Sequence, residues 1–198
     1  MKITGELCCG DEGMLIDPYY SPENSIYLGV DFGWKNNAIL WLQPSADHEK
    51  LQVLYVHYQA FRTNEENAKI ALKIHQARGY GQLSGGAGDP SKPEALRSYS
   101  QVFGVEIVGQ SGRVDAGHEL VKQWLKAATL TKGESGLTFA KVGKCACGEY
   151  CYRRFLGEFN LYREHVPGTG PHHGLDGLRY FLTWWVGLNE VRRFLHSI

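Results

Sequence analysis

The stretch Ile26-Tyr27-Leu28-Gly29-Val30-Asp31-Phe32-Gly33 decides how the rest of the chain is read. It is an apolar run of strand length, as expected of a strand covered on both faces. It ends in an acid and a glycine, which places a carboxylate at the strand's carboxyl end. Asn36-Asn37 marks a turn, and Ala38-Ile39-Leu40-Trp41-Leu42 predicts a second strand returning as a hairpin. Leu51 to Tyr58 is β-branched and aromatic enough for a third strand. Three consecutive strands predict an antiparallel meander.

Beyond the meander the period becomes helical. Thr63-Asn64-Glu65-Glu66 is a helix start, with Thr63 or Asn64 as N-cap, and the helix runs to Ala77 before Arg78-Gly79. Gln82 to Gly88 predicts a strand closing at Asp89-Pro90, Pro93 to Ser100 a helix, and Val105 to Val108 a strand. Asp115 to Ala127 predicts a helix with Trp124 and Leu125 facing inward, and Leu137 to Val142 a short strand. Helices over Tyr150 to Tyr162 and Gly174 to Leu188 complete the order. This predicts an α/β fold: a mixed sheet of five or slightly more strands, with an antiparallel edge and right-handed crossovers placing helices on both faces. Residues 1–24, with one short apolar stretch, Met14-Leu15-Ile16, read as a leader that is either a linker or a strand added to the sheet, and 25–198 as the domain.

Composition bounds the function. The chain has 198 residues, and 21 Lys plus Arg balance 21 Asp plus Glu. A zero sum announces no global basic field, though a local patch can still be basic. With 43% hydrophobic and 21% charged residues the composition is that of a soluble globular protein. Apolar runs such as Phe181 to Leu188 are far short of a membrane span. Lys2, Glu6 and Asp11 interrupt the N-terminal stretch, which has no apolar region of a secretory signal. Five cysteines, an odd number, argue against a secreted disulfide framework and for a reducing compartment.

Asp31 and Asp89 each end a predicted strand, and Asp176 lies near the start of the last helix. If the two strands are neighbours, two carboxylates meet at one sheet edge, and the helix can bring the third. Three such carboxylates repel, and one protonates unless a cation is present. Hard oxygen ligands without a dedicated cage suit Mg²⁺ or Mn²⁺. Two such ions about 3.5–4 Å apart activate water and stabilise the leaving oxygen in phosphodiester cleavage. Each acid also has a plainer reading. Asp-x-Gly and Asp-Pro are common turns, and Asp176 can pair with Arg179.

Gly29-Val30-Asp31-Phe32-Gly33-Trp34, Gly88-Asp89-Pro90-Ser91-Lys92-Pro93 and His173-Gly174-Leu175-Asp176-Gly177-Leu178-Arg179-Tyr180 resemble the motifs of the nuclease domain of phage terminase large subunits. Phe155 to Tyr162 is similar to that family's helix before the last motif. The resemblance spans roughly Ser25 to Leu188 and implies an RNase H-like fold. It also implies a metal-dependent endonuclease that cuts double-stranded concatemeric phage DNA during packaging, with little sequence preference. Asp31, Asp89 and Asp176 are then the catalytic metal ligands. The implied partners are DNA, an ATPase motor domain or subunit, the portal and the small terminase, in the cytoplasm of an infected bacterial host and away from membranes. The family usually has Ala where Gly177 stands, and some members carry an extra acid where this chain has Gly174 and Leu175. His173, one helical turn before Asp176, is the accessory candidate, for metal, water or phosphate; it can equally cap the helix. The chain contains no Gly-x-x-x-x-Gly-Lys-Ser/Thr loop, so the motor half is not in this stretch.

Cys145, Cys147 and Cys151, with Cys8, Cys9, His172 and His173, raise structural zinc, but the spacing fits no standard knuckle. Thiols packed as small hydrophobes are the favoured reading. Lys141, Lys144, Arg153, Arg154 and Arg163, interleaved with Tyr150, Tyr152 and Tyr162, are DNA-contact candidates, with Arg113 and Lys122 on another element. For Arg153 and Arg154 a solvated helix face explains the charges equally well. Thr131 to Lys144 reads as a hairpin beside the site, and Phe181, Trp184 and Trp185 as core or a partner-facing surface. The rival functions are a Holliday-junction resolvase or transposase core, a sugar-kinase or actin-like ATPase, and a non-catalytic DNA-binding or assembly module.

Overall fold

The computed structural model describes residues 15–16, 20–48, 50–112, 114–130, 136–140, 154–155, 157–158 and 172–196. Its strands are β1 (Leu15–Ile16), β2 (Ile26–Asp31), β3 (Asn37–Pro44), β4 (Leu51–Gln59), β5 (Leu83–Gly88), β6 (Ile107–Gly109) and β7 (Leu137–Ala140). They form one sheet in the order β1-β7-β4-β3-β2-β5-β6. The helices are α1 (Asn64–Ala77), α2 (Pro93–Phe103), α3 (Val114–Leu130) and α4 (His173–His196). Arg154, Phe155, Gly157 and Glu158 are helical too.

β2, β3 and β4 pair antiparallel, which is the predicted meander. β2–β5, β5–β6, β4–β7 and β1–β7 pair parallel, so the sheet is mixed. The sequence predicts six of the seven strands; β1 comes from the stretch read as a leader. Several elements run further than predicted, among them β3, α2, α3 and α4. α2 continues to Phe103 and stops at Gly104, whose φ of 68° is a left-handed helix end. α4 passes Leu188 and reaches His196, since a single glycine such as Gly187 is tolerated inside a helix.

β2, β3 and β4 are buried along nearly their whole length, which accounts for their near-continuous apolar sequences. α1 opens with a capping box. Thr63 Oγ1 accepts from the Glu66 amide at 3.3 Å, and Glu66 Oε2 accepts from the Thr63 amide at 2.9 Å. Phe181, Trp184 and Trp185 pack around Tyr27, with ring centroids 5.0–5.9 Å away. Phe181 and Trp185 therefore belong to the core of the α4–sheet contact, the first of their two predicted readings, and Trp184 packs half-buried against it. No helix among the described residues is long and apolar enough to cross a membrane.

The contact that positions the site is made by two glycines. A Cβ on Gly29 would lie 2.6 Å from the Gly177 carbonyl oxygen. The bare backbones therefore let α4 sit directly on β2. Gly29 is two residues before Asp31, and Gly177 directly follows Asp176.

Candidate active site

Asp31 is the last residue of β2, and residues of one strand two apart share a face. Tyr27, Gly29 and Asp31 therefore face α4. Val30 pairs with Gly88 in the parallel β2–β5 ladder, so Asp89 leaves β5 at the same edge as Asp31. Asp176 comes to that edge in the first turn of α4, its amide donating to the His172 carbonyl at 2.8 Å. The three acids thus lie together, close enough for Asp89 and Asp176 to act on the Asp31 charge.

Each carboxylate holds a protein donor. His173 Nδ1 lies 2.6 Å from Asp31 Oδ2. Burial pushes the Asp31 carboxyl above its usual range, and the two neighbouring acids push the same way against the opposing pull of His173. His173 in turn is raised, first by its bond to Asp31. Asp89 accepts from the Ser91 amide and hydroxyl, both at 2.8 Å, which is also the turn its Asp-Pro sequence suggests. Arg179 reaches Asp176 Oδ1 through Nε and Nη2, both at 3.1 Å, and His118 Nε2 stands 3.9 Å away. Burial raises Asp176, but His118 and Arg179 outweigh it and hold the group below its ordinary value. Among the described residues no three His, Cys, Asp or Glu side chains close into a ready-made metal cage.

A second layer supports the helix start. Glu158 is 2% exposed, accepts from the Tyr58 hydroxyl at 2.8 Å, and accepts from the Leu175 amide at 3.0 Å. It therefore caps the turn carrying His173 and Asp176. Burial pushes its carboxyl up to about 7, against these bonds and the Arg154 charge. Gly174 is required there, since a Cβ would run into the Tyr58 hydroxyl and the Phe155 ring. Tyr180, its hydroxyl raised to about 12 chiefly by burial, feels the charges of all three acids. The sequence reading did not single out Glu158, Tyr58, His118 or Tyr180. The signal for Glu158 was an acid inside an otherwise apolar helix segment.

Of the basic candidates, Arg154 donates to Asn36 Oδ1 at 2.7 Å and lies over the Tyr58 ring at 4.3 Å. Lys122 pairs with Glu119 at 3.5 Å on α3. Lys141, Lys144, Arg153, Arg163, Arg113, Tyr150, Tyr152 and Tyr162 lie outside the described residues, as do all five cysteines and most of the expected 131–144 hairpin.

No family model and no curated protein matches this sequence. Solved structures do match. The large terminase from thermophilic bacteriophage D6E is 14% identical, with a TM-score of 0.64 over 87% of this chain and 42% of that one. The chain thus spans about two fifths of the D6E protein. The P22 large terminase nuclease domain is 15% identical, with a TM-score of 0.61 over 86% of each chain. This chain has the fold of a large terminase nuclease domain. The large terminase nuclease from thermophilic phage G20c, solved with bound magnesium, agrees: 14% identity and a TM-score of 0.54 over 88% of this chain and 94% of that one. The architecture is the RNase H-like sheet expected from the motifs.

Proposed function

We propose that this chain is a divalent-metal-dependent endonuclease that cuts double-stranded DNA as the nuclease part of a phage packaging terminase. Asp31, Asp89 and Asp176 would hold the metal, and His173 would act as the accessory group. The observation that carries this reading is the convergence of three acids from β2, β5 and α4 at one sheet edge, on the fold of nuclease domains. The donor set fits Mg²⁺ or Mn²⁺. Asp31 is a buried carboxylate destabilised as an anion by burial and by two like charges, a situation a divalent cation relieves. A bound pair of ions would supply an activated water and charge stabilisation of the leaving oxygen.

The chain's own residues do the rest. Asp31 and Asp89 present oxygens from adjacent strands, and Asp176 presents one from the helix start. His173 steadies the Asp31 carboxylate, and Arg179 orients Asp176. Glu158 and Tyr58 fix the turn on which Asp176 rides. The D6E and P22 proteins are named as terminases, which supports a role in genome packaging. The motor, portal and small terminase would then be partners, and the host cytoplasm the compartment. Residues 25–198 would form the nuclease unit, to whose sheet β1 from residues 1–24 adds an edge strand.

Supercoiled plasmid incubated with Mg²⁺ or Mn²⁺ tests the reading. Native protein should nick and linearise it, and Asp31→Asn or Asp176→Asn should cut about 100-fold more slowly or worse. Equal cutting by either variant overturns the assignment.

A further inference from the structure

Among the described residues three large hydrophobics are exposed, and two of them touch. Trp34 is 60% and Phe61 67% exposed, with ring centroids 6.3 Å apart at 75°. Trp34 lies three positions past Asp31 in the β2–β3 loop, and Phe61 follows β4. Both are held from behind. The Phe61 amide donates to the Trp34 carbonyl at 2.7 Å, and Asn36 is pinned by Arg154. Phe61 has a φ of 56°, left-handed backbone that a bulky side chain enters only at a cost. Strain of this kind persists where surrounding structure imposes it, and clusters at functional sites.

The chemistry around the rings narrows the partner. Each aromatic is followed by an exposed cation, Trp34 by Lys35 and Phe61 by Arg62. A protein-docking patch is depleted of charge at its centre. A nucleotide instead needs a ring face for the base and a cation for the phosphate, which is the combination that single-strand binders use. We infer that Trp34 and Phe61 form a stacking platform for an unpaired base of the DNA strand beside the cutting site. The inference rests on the nuclease reading above and deepens it. The substrate remains double-stranded DNA, and the platform takes a base that becomes unpaired where the duplex opens at the cut. Stacking requires a free base face, which a closed helix does not offer.

The test is binding without divalent metal, by anisotropy of a labelled single-stranded oligonucleotide and of a hairpin duplex with the same number of nucleotides. For the full chain carrying Trp34→Ala and Phe61→Ala, single-strand affinity should fall about tenfold or more, while duplex affinity changes by less than about twofold. Trp34→Phe with Phe61→Tyr should keep native affinity, which separates stacking from misfolding. Equal loss on both DNAs, or no loss on either, overturns the platform. So does intact DNA binding with loss of association to an added ATPase domain, which would make the patch a protein-docking face. Metal-free binding is independent of cutting. Failure of the platform therefore leaves the Asp31→Asn result to stand by itself, and failure of the nuclease reading leaves the single-strand preference measurable.

Discussion

Replacing Glu158 with Gln should flatten the pH dependence of this protein's stability. Glu158 is buried behind the first turn of α4, and its carboxyl is pushed from 4.5 up to about 7. In the unfolded chain it titrates near its ordinary value. Between about 4.5 and 7 the folded protein therefore holds a proton that the unfolded chain has released. Stability contributed by the neutral group is full below that window and is lost as pH rises through about 7. At about 1.4 kcal/mol per tenfold change, the loss amounts to about 3 kcal/mol by pH 8. Gln is neutral throughout, and can accept from Leu175 while donating to the Tyr58 oxygen. Urea unfolding of both proteins, followed by tryptophan fluorescence, gives the difference directly, because Asp31, Asp176 and the histidines are common to both. The two should agree within about 1 kcal/mol near pH 4.5. At pH 8 the Gln variant should lead by about 2–3 kcal/mol. A difference that does not change with pH would refute the reasoning, since Glu158 would then titrate as an exposed acid.

Gly29→Ala should cost about 1–3 kcal/mol and slow cutting, because its Cβ meets the Gly177 backbone 2.6 Å away and lifts α4 from β2. Gly177→Ala should be close to neutral in the same thermal-melt comparison, since its Cβ meets the movable tip of Leu40 at 2.9 Å, reaches the Asp31 and Gly29 backbone only at an ordinary contact distance of 3.4 Å, and Ala favours the helix. Phe61→Asn should raise unfolding free energy by up to about 1 kcal/mol, as Asn tolerates the left-handed backbone at φ 56°. A loss above that size would mean the Phe61 ring packs into the fold.

The meander and the strand ends carrying Asp31 and Asp89 were legible because apolar runs and turn residues are local signals; that their strands are neighbours was a condition the sequence left open, and the β2–β5 ladder meets it. β1 was offered only as one of two readings of the leader, since a two-residue strand has no period to detect and owes its place to β7. The close approach of Gly29 and Gly177 is visible only with the sheet in place, where α4 lies against the β2 backbone. Long-range pairings were equally hidden. His173 meets Asp31 across 142 positions, and Glu158 meets Tyr58 across 100. The sequence offered His173 a metal, a phosphate or a cap; the structure gives it a carboxylate. Arg154 reads as surface charge until the fold turns it onto Asn36 and Tyr58. Trp34, part of a quoted motif, drew no role because exposure is not written in a sequence.

A crystal structure of this chain soaked in Mn²⁺ tests the central claim most directly. The account predicts manganese bound among Asp31, Asp89 and Asp176, with these carboxylates drawn in as ligands. Manganese absent from that edge, or bound only elsewhere on the chain, would contradict it.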